Sequence, residues 1–430
     1  MTQSCKIYNI LVFPGGTEIG LEIQKALHQC KDIRLFSAGL DVSNHAPYVF
    51  ARHFLIPGVY DHKWIDCLNQ IIVEHGIDYV FPAHDDVIVA LAQHAEMIKS
   101  RIVSSPLKTC MITRSKSRTY LFFRDSLPVP VMYDDLESIK EYPVYVKPDK
   151  GQGSQKSHLV YSKSHLAQLL GEDGTYIVTE YLPGEEYTID CFSDREAGLL
   201  FCGGRLRIRT RSGISMNSRP VQENIFLQYA NEISKLLTLH GAWFFQLKRD
   251  QTGVYKLLEI APRIAGCMAV HRVQGINFPL LSIYEQERIP VEILFKRADV
   301  EIDRALINRY KHHIRYSSVY IYLDDTLILN GAVNPDLIRF LYQCINAKIR
   351  IVLLSKHPGD IDQTLRKYRL SNIFDEVINL EKSDNKSDYI RESDAIFIDD
   401  SFMERKRVSE RLGIPTFDCS MLEMLIDERS

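Results

Sequence analysis

The alternation of apolar, strand-like runs with amphipathic, helix-like runs is the sequence feature that most constrains the fold. Residues Tyr8 to Phe13 form an apolar run that ends in the glycine turn PGGTEIG, and Leu21 to Gln29 follow at helical spacing. Further helices are expected over Trp64 to His75 and Ile88 to Met97. Strands that alternate with helices indicate a parallel sheet covered on both faces. We therefore predict an α/β domain over residues 1–105.

The middle of the chain has a different pattern. Over residues 106–298, apolar runs come in pairs around glycine turns, which predicts antiparallel strands, with helices over Ser164 to Leu170 and Asn224 to His240. A polar linker, expected to contain a helix, follows over 299–316. Over 317–430 the strand and helix alternation resumes. The predicted fold class is therefore multidomain, with α/β, α+β and again α/β parts.

The charge and cysteine composition excludes several classes of function. The 52 basic side chains nearly balance the 55 acidic ones, for a net charge of -3, so no global field attracts nucleic acid or an anionic membrane. We find neither a signal-peptide pattern nor an apolar run of the ~18 residues that a spanning helix requires. Nine scattered cysteines without a CxxC pair indicate reduced thiols. These features predict a cytoplasmic protein without nucleic-acid or membrane partners.

A lysine next to a glycine-rich turn is the first candidate for nucleotide chemistry. YPVYVKPDKGQGSQ places Lys147 at the end of a strand and follows it with Gly151, Gly153 and Ser154. Phosphates bind a fixed cation together with backbone N–H groups, which glycines leave accessible. Such a lysine is by itself more often part of a surface loop. The interpretation as a phosphate site depends on the segments that follow.

A second segment, YIVTEYLPGEEYTIDCF, has carboxylates on both sides of a short apolar stretch. Glu180 and Glu186 flank Tyr181 and Leu182. Peptide groups of such a stretch can bind an adenine ring, and a carboxylate can accept hydrogen bonds from a ribose diol. A pair of glutamates is otherwise common on a solvated face.

A third segment, FFQLKRDQTGVYKLLEIAPR, is expected to form a hairpin that carries oxygen ligands. Gln246 and Glu259 lie on its two strands, and Arg263 follows the second strand. Oxygen ligands on a rigid hairpin suit Mg²⁺, which keeps several waters and bridges phosphates.

The order and spacing of these three segments resemble the ATP-grasp superfamily, and residues 1 to about 295 are similar to its carbamoyl-phosphate-synthase and amino-acid-ligase branch. VFPGGTEIG is similar to the turn of the domain that precedes ATP-grasp domains, and TRSKSRTYLFFRDSLPVPVMY to the segment that opens them. The resemblance implies ATP and Mg²⁺ or Mn²⁺ as cofactors. It implies that Lys116 contacts ATP and that Lys147 contacts the phosphates and the adenine region. The adenine would be contacted by Glu180, Tyr181 and Leu182, and the ribose by Glu186. The metal would be bound by Gln246 and Glu259, and Arg263 would stabilise the transferred phosphoryl group or the acyl phosphate.

One position departs from the family pattern. The family commonly has an asparagine ligand two residues after the metal glutamate, whereas this chain has Ala261. A similar alanine occurs in the family's carboxyaminoimidazole ribonucleotide synthetases. Glu259 is then the only carboxylate assigned to the metal, and Asp190 is an alternative contributor.

Two motifs in the first domain have competing interpretations. PGGTEIG lacks the third glycine of a dinucleotide fingerprint, and no acid stands at the end of the next strand, so NAD binding is disfavoured. His84, Asp85 and Asp86 form either part of the wall of an acceptor site or the start of a helix with its cap.

Four arginines alternate in GGRLRIRTRSGISMN. On a regular strand, Arg205, Arg207, Arg209 and Arg211 would all project to one face, where guanidinium groups could clamp a carboxylate or phosphate. The alternative is a solvated strand face. We favour substrate contact, with Arg209 and Arg211 as the candidate residues.

The last part of the chain resembles haloacid-dehalogenase-like phosphatases in the order of four motifs. Those enzymes use an aspartate nucleophile, and Tyr322 stands at that position here, where a phenol cannot replace the carboxylate. The resemblance assigns the remaining positions to Asp324, Thr326, Ser355, Lys382 or Lys386, Asp399 and Asp400. We expect a pseudophosphatase that binds a phosphorylated ligand or a partner, or that is structural.

Three functions are consistent with these residues. The first is an ADP-forming ligase that phosphorylates a carboxylate and joins it to an amine, with Lys147, Arg263 and Mg²⁺ neutralising the phosphoryl group. The second is a nucleotide sensor or scaffold with degraded sites, suggested by Ala261 and Tyr322. The third is a small-molecule kinase on the same frame. We favour the ligase, with a small-molecule carboxylate and amine as substrates and a homodimer as one open assembly.

Overall fold

A computed structural model of the chain describes residues 6–151, 156–170 and 176–429. The chain divides into two compact units, residues 1–306 and 307–429. Within the described residues, no helix is long and apolar enough to cross a membrane. Eight described cysteines are free thiols.

The first unit begins with a five-stranded parallel sheet in the order β3-β2-β1-β4-β5. Its strands are β1 (Tyr8–Phe13), β2 (Ile33–Gly39), β3 (His53–Leu55), β4 (Tyr79–Pro82) and β5 (Arg101–Ile102). The accompanying helices are α1 (Glu18–Leu27), α2 (Ala46–Val49), α3 (Trp64–His75), α4 (Asp85–Gln93), α5 (Leu107–Thr113) and α6 (Lys116–Phe123). The parallel sheet that the alternation predicts is therefore present.

Two helices begin three residues earlier than periodicity predicts, because each has a capping side chain. Thr17 accepts a hydrogen bond from the backbone N–H of Gly20 at 3.0 Å and starts α1 at Glu18. His84 accepts from the backbone N–H of Asp86 at 3.2 Å and starts α4 at Asp85. The helix-cap interpretation of the His84 motif is thus correct, and it places two carboxylates in the first turn of α4.

Two antiparallel sheets follow. The smaller, in the order β7-β6-β8, contains β6 (Val144–Pro148), β7 (His158–Val160) and β8 (Tyr176–Glu180), with a 3-10 turn at Leu136–Ser138 before it and α7 (Lys163–Leu170) within it. The larger, in the order β13-β12-β9-β10-β11-β14, contains β9 (Glu186–Asp194), β10 (Gly198–Arg211), β11 (Ile214–Val221), β12 (Gly241–Arg249), β13 (Tyr255–Ala261) and β14 (Ile302–Asp303). Helices α8 (Asn224–Leu236), α9 (Ala269–Arg272) and α10 (Phe278–Gln286) complete the unit.

One face of the large sheet is buried under α8, and the other is partly packed on the parallel sheet and partly open to clefts. Tyr187, Ile189, Phe245 and Leu247 alternate along β9 and β12 into a core that α8 covers. The residues between them point to the opposite face, because side chains alternate along a strand. That second face carries the polar residues of the site.

The parallel sheet and the large sheet share one hydrophobic core within the first unit. Ile10 and Val12 of β1 belong to the same cluster as Phe192 of β9 and Phe244 of β12. The domain boundary predicted near residue 105 lies within this unit and stays a prediction.

The linker differs from the prediction. No helix forms over residues 299–316, all of which the structure describes, and β14 instead adds to the edge of the large sheet through Asn217 opposite Asp303 and Ser218 opposite Ile302. Apolar residues recur at helical spacing in the segment, at Ile302, Leu306, Tyr310 and Ile314. Pairing with β11 instead holds the start of the segment in an extended conformation.

The second unit is a parallel sheet in the order β19-β18-β15-β20-β21 with a small hairpin beside it. Its elements are β15 (Ser318–Ile321), β16 (Ile328–Leu329), β17 (Ala332–Val333), α11 (Pro335–Asn346), β18 (Arg350–Ser355), α12 (Ile361–Lys367), β19 (Glu376–Asn379), β20 (Ala395–Ile398), α13 (Phe402–Leu412) and β21 (Thr416–Phe417), with 3-10 turns at Lys386–Asp388 and Cys419–Met424. The chain leaves β15 toward β18 and later returns to its other side as β20, so the strand order reverses between β15 and β20. Ligands of open α/β sheets bind at the carboxyl ends of strands at such a reversal.

Candidate functional site

The predicted nucleotide residues line one cleft of about 790 Å³ between the two antiparallel sheets. Its wall is formed by Lys116, Pro130, Tyr145, Lys147, Pro148, Gly151, Ser157, Thr179, Glu180, Tyr181, Leu182, Glu186, Gln246, Lys248, Leu258 and Glu259. Every cofactor and metal residue that we predicted from the sequence is in this wall, apart from Gly153 and Ser154, which lie outside the described residues. We call this space the nucleotide cleft.

Two lysines stand at one end of the nucleotide cleft. Lys147 on β6 is buried, and its Nζ donates a hydrogen bond to the Tyr120 hydroxyl at 2.8 Å. Burial, followed by repulsion from Lys116, lowers the pKa of Lys147 to about 7. The ammonium of Lys116 lies within 3.3 to 3.4 Å of the backbone carbonyls of Pro148, Asp149 and Gly151. A phosphate group would stabilise the charged form of Lys147, which the protein alone does not.

The two glutamates of the second segment are held in place by cations and by backbone. Glu180 accepts from the backbone N–H of Val131 at 2.9 Å and lies 3.2 Å from Lys256. Glu186 lies 3.1 Å from Arg207 and 3.5 Å from Lys248. Both carboxylates are therefore fixed and can accept hydrogen bonds from hydroxyl or amino groups of a ligand.

A transverse row of polar residues crosses the open face of the large sheet. The row runs across four neighbouring strands, with each residue directly opposite the next: Glu259 on β13, Gln246 on β12, Thr188 on β9 and Arg205 on β10. Neighbours in such a row have their Cβ atoms ~4.5 to 5.5 Å apart on the same face. The hairpin predicted for the third segment thus brings Gln246 and Glu259 together as expected.

A second cleft, of about 990 Å³, opens on the other side of this row. It is lined by Glu18, Ile19, Asp85, Thr188, Arg205, Arg207, Ser212, Gly213, Ile214, Ser215, Phe244, Gln246, Glu259, Arg263, Ala265, Gly266, Cys267 and Arg304. Gln246 and Glu259 belong to both clefts. We call this second space the acceptor cleft.

Arg263 points into the acceptor cleft and is held by a carboxylate from the parallel-sheet part of the unit. Its Nε donates to Asp85 Oδ1 at 2.5 Å and its Nη2 to Asp85 Oδ2 at 3.2 Å, and the guanidinium stacks 5.1 Å from the centre of the Phe244 ring. Burial by itself would raise the pKa of Asp85, but Arg263 outweighs it and lowers that pKa. Asp85 therefore contributes to the acceptor wall as well as to the first turn of α4.

The arginine row is broken, contrary to the prediction of one common face. Irregular pairing between Arg207 and Thr210 inserts extra residues into β10 and β11, which changes the direction of the side chains beyond Arg207. Arg209 and Arg211 are exposed, and Arg209 pairs with Asp303 at 2.6 Å. Arg205 and Arg207 line the acceptor cleft instead. Of the four arginines, all of them described, only Arg205 and Arg207 line this cleft, and substrate contact by Arg209 and Arg211 stays a prediction that their exposure does not favour.

Asp190 is not available as a metal ligand. It is fully buried, accepts two hydrogen bonds from Arg205 at 2.9 and 3.2 Å, and lies 2.9 Å from Nδ1 of His271. Within the described ranges, no group of three or more histidine, cysteine, aspartate or glutamate side chains could hold a metal ion. Gln246 and Glu259 remain as oxygen donors, and a set of this size fits Mg²⁺ only when phosphates and water supply the other ligands.

The carboxyl ends of β15, β18 and β20 in the second unit carry residues that we predicted from the four motifs. The Asp324 carboxylate lies 2.9 Å from His357 Nδ1 and 3.5 Å from the Ser355 hydroxyl, and the Thr326 hydroxyl lies 3.1 Å from Asp400. These motifs thus converge at the point of strand reversal.

One charge pair beside Tyr322 is sealed from solvent. Lys386 forms a close ion pair with Asp399, both of them buried, and its Nζ stands 3.3 Å above the centre of the Tyr322 ring. Of the two lysines predicted for this motif, Lys382 is exposed and Lys386 is buried in this pair, and the assignment of the motif stays a prediction. Burial raises the pKa of Tyr322 to about 12, which keeps the phenol protonated.

Comparison with known proteins bears on the first unit. Residues 172–302 match the family model described as ATP-grasp in the biosynthetic pathway with Ter operon. A biotin carboxylase from Campylobacter jejuni in complex with β-γ-ATP superposes with a TM-score of 0.55 at 15% identity, over 67% of this chain and 73% of that one. The chain has an ATP-grasp fold. No curated protein sequence matches it significantly.

Two further solved structures share the ATP-grasp fold with this chain. L-amino acid ligase from Bacillus licheniformis has a TM-score of 0.52 at 19% identity, over 67% of this chain and 75% of that one. N5-carboxyaminoimidazole synthetase from Staphylococcus aureus, complexed with ADP, has a TM-score of 0.51 at 16% identity, over 60% of this chain and 71% of that one. At these identities the likeness establishes the fold and leaves the reaction to be argued from the residues of the site.

Several residues in and beside the two clefts were not predicted from the sequence. Thr188 follows Glu186 by two positions on β9, so strand alternation could have placed it on the same face. Tyr120, Glu18 and Arg304 reach the clefts from distant parts of the chain, and no local pattern marks them.

Proposed function

We propose that the chain is an ATP-dependent, ADP-forming ligase that activates a carboxylate as an acyl phosphate and joins it to an amine. The observation that carries the proposal is that Gln246 and Glu259 line both the nucleotide cleft and the acceptor cleft. A phosphoryl group transferred across this row would leave the nucleotide on one side and enter the acceptor on the other. The ATP-grasp fold and the ligands named for the related structures support ATP as the nucleotide.

Each residue has a defined task in this reaction. The peptide groups at Tyr181 and Leu182 and the carboxylates of Glu180 and Glu186 hold the adenosine, and the Lys147 ammonium neutralises the phosphates. Gln246 and Glu259 would hold Mg²⁺, which would neutralise negative charge on the phosphates when bound.

On the acceptor side, Arg263 orients the carboxylate for in-line attack and neutralises the acyl phosphate that forms. The amine then attacks the acyl carbon, an amide bond forms, and phosphate leaves. The enclosed position of Arg263, fixed by Asp85, supports this role because a preorganised cation needs no rearrangement during the reaction.

We further propose that the second unit is a haloacid-dehalogenase-like domain without phosphatase activity. The strand order, the convergence of Asp324, Thr326 and Ser355 at the strand reversal, and the protonated Tyr322 at the nucleophile position support this view. The sealed pair of Lys386 and Asp399 favours a structural role over the binding of a phosphorylated ligand. Hydrolysis of p-nitrophenyl phosphate that disappears on Asp324→Asn would contradict this part of the proposal.

The deciding experiment measures ADP release from ATP and Mg²⁺ with a panel of carboxylates and amines, supplied singly and in pairs. A ligase gives turnover that needs both partners and is lost in Glu259→Gln, while the exposed Glu96→Gln serves as the matched control. Turnover with one acceptor alone and a stable phosphorylated product would establish a kinase instead. ATP binding without turnover under all conditions would favour the sensor or scaffold. A small-molecule ligase of this type needs no partner beyond a second copy of itself and would act in the cytoplasm.

A further inference from the structure

Two buried hydrogen-bonding atoms at one end of the acceptor cleft have no partner among the described residues. They are the Thr188 hydroxyl oxygen and Nε of Arg207. Thr188 is 1% exposed and lies on the cleft face of the sheet between Gln246 and Arg205. A buried polar atom without a partner costs about 1 to 3 kcal/mol, so such atoms mark positions that another molecule completes.

The charges around these two atoms favour an anion. Glu186 is shared by two cations, Arg207 at 3.1 Å and Lys248 at 3.5 Å, which leaves one positive charge uncompensated at this point. The neighbouring Arg205 is buried and neutralised by Asp190. The other carboxylates of the acceptor cleft, Glu18, Asp85 and Glu259, face Arg263 or the metal position instead.

This end of the cleft is distinct from the place where the carboxylate reacts. Arg263 stacks on Phe244 of β12, whereas Arg207 contacts Glu186 of β9. Glu186 lies opposite Lys248, which is also on β12. Phe244 and Lys248 are four residues apart on β12, roughly 13 Å at ~3.3 Å per residue. The contacts of the two arginines thus lie at different points along β12, which favours two separate oxyanion positions.

We propose that the acceptor substrate carries a second oxyanion, a carboxylate or a phosphate, which binds to Thr188 and Arg207 beside Arg205 while its reacting carboxylate lies at Arg263. The substrate class is thus a carboxylic acid with a second acidic group several bonds away. The inference rests on the proposed ligase function, because Arg263 is assigned to the reacting carboxylate only there. The hydroxyl of Thr188 donates to the second oxyanion, and the guanidinium of Arg207 neutralises it.

Binding, measured apart from turnover, tests the inference. Calorimetry would compare the dicarboxylates from succinate to pimelate, each with its own monoamide, and the phosphonocarboxylates of the same lengths. The protein would be the full chain loaded with Mg²⁺ and a non-hydrolysable ATP analogue. We expect one dianion length to bind at least about tenfold more tightly than its monoamide, since a hydrogen bond to a charged group contributes that much. The series that binds more tightly shows whether the second oxyanion is a carboxylate or a phosphate.

Four variants test whether Thr188 and Arg207 cause the preference for the dianion. Arg207→Gln and the nearly isosteric Thr188→Val should each remove most of the preference for the dianion. Thr188→Val, which changes no residue of the nucleotide-cleft wall, should also leave the affinity for the nucleotide analogue within about twofold. The matched controls are Arg219→Gln and Thr210→Val, both at exposed positions on the neighbouring strands β11 and β10. Thr188→Val keeps the test valid if Arg207→Gln does not fold.

The outcomes separate this inference from the proposed function. Monoamides that bind as tightly as dianions, a preference that survives in Thr188→Val, or no binding by any member of the series would overturn the inference. A dianion that binds with the expected variant pattern but gives no ADP with any amine would leave the second oxyanion site standing and reject the ligase. Turnover with monocarboxylates at full rate would support the ligase and reject the second oxyanion site.

Discussion

Lys147 and Tyr120 form a buried hydrogen bond in which a lysine ammonium faces a neutral phenol. The Nζ to Oη distance is 2.8 Å, and both side chains are buried. Burial raises the pKa of Tyr120 far above its ordinary value, so the phenol cannot act as an anion, and burial together with Lys116 lowers the pKa of Lys147 to about 7. The lysine that should hold the phosphates is therefore only half charged near neutral pH.

Nucleotide affinity should depend on pH through Lys147. Phosphates bind the protonated lysine, so binding takes up a proton whenever the pH is above about 7. Between pH 6 and 8 we expect ATP affinity to fall about tenfold, because only about a tenth of Lys147 is charged at pH 8. Calorimetry in buffers of different ionisation enthalpy measures the proton uptake directly. Lys147→Arg, which stays charged, should bind with no uptake at this site, and an unchanged uptake in that variant would contradict the assignment.

Asp85→Asn should lower the stability of the protein and its ADP release without changing its affinity for ATP. The change leaves the Arg263 guanidinium buried without its carboxylate, which costs about 3 kcal/mol. We expect a lower unfolding midpoint in urea, a fall in ADP release of more than tenfold and an ATP affinity within twofold of the wild type. Asp86→Asn, which breaks the neighbouring pair with Arg114, is the control and should retain turnover. Full activity in Asp85→Asn would mean that Arg263 does not depend on this pair.

Gln246→Glu should make the protein more responsive to Mg²⁺. The new carboxylate lies directly opposite Glu259, and like charges in that arrangement destabilise a strand pair by roughly 0.2 to 1 kcal/mol. With Mg²⁺ and ATP the second carboxylate becomes a ligand. Thermal unfolding should show a lower midpoint than the wild type without metal and a larger gain on adding Mg²⁺ with ATP. An equal rise in the unfolding midpoint of the variant and the wild type would mean that the metal does not bind at residue 246.

The second unit should depend on the pair of Lys386 and Asp399 for its stability. Asp399→Asn leaves a buried ammonium and should destabilise this unit by about 3 kcal/mol. The double variant with Lys386→Met removes the orphaned charge, so it should be more stable than Asp399→Asn alone. Urea unfolding of the single and double variants measures the coupling. Additive losses would show that the two residues do not act as a pair.

The parallel sheet and the nucleotide residues could be predicted from the sequence because both depend on local patterns. Alternation identifies β1 and α3 to the residue, and the segments around Lys147 and Glu259 carry their own turn and hairpin signals. Helix starts were less accurate, since a cap such as Thr17 or His84 extends a helix beyond its apolar stripe.

The acceptor cleft could not be predicted because its residues meet only through tertiary contacts. Asp85 and Arg263 are 178 positions apart, and no periodicity relates them. The bulge after Arg207 depends on pairing with β11, which strand alternation in β10 alone does not reveal. Likewise, the burial of Lys386 but not of Lys382 depends on the fold.

The hairpin of β10 and β11 ends in the two-residue turn Ser212 and Gly213, with φ angles of 48° and 70°, and the turn lines the acceptor cleft but not the nucleotide cleft. Left-handed turns of this kind fix the register of a hairpin by themselves. The two turn residues can therefore be exchanged for others that tolerate positive φ angles, such as asparagine, aspartate or glycine, without a change of register. Libraries built at these two positions would vary the wall of the acceptor cleft without touching the nucleotide cleft, which makes the hairpin tip the natural place to alter the proposed acceptor preference.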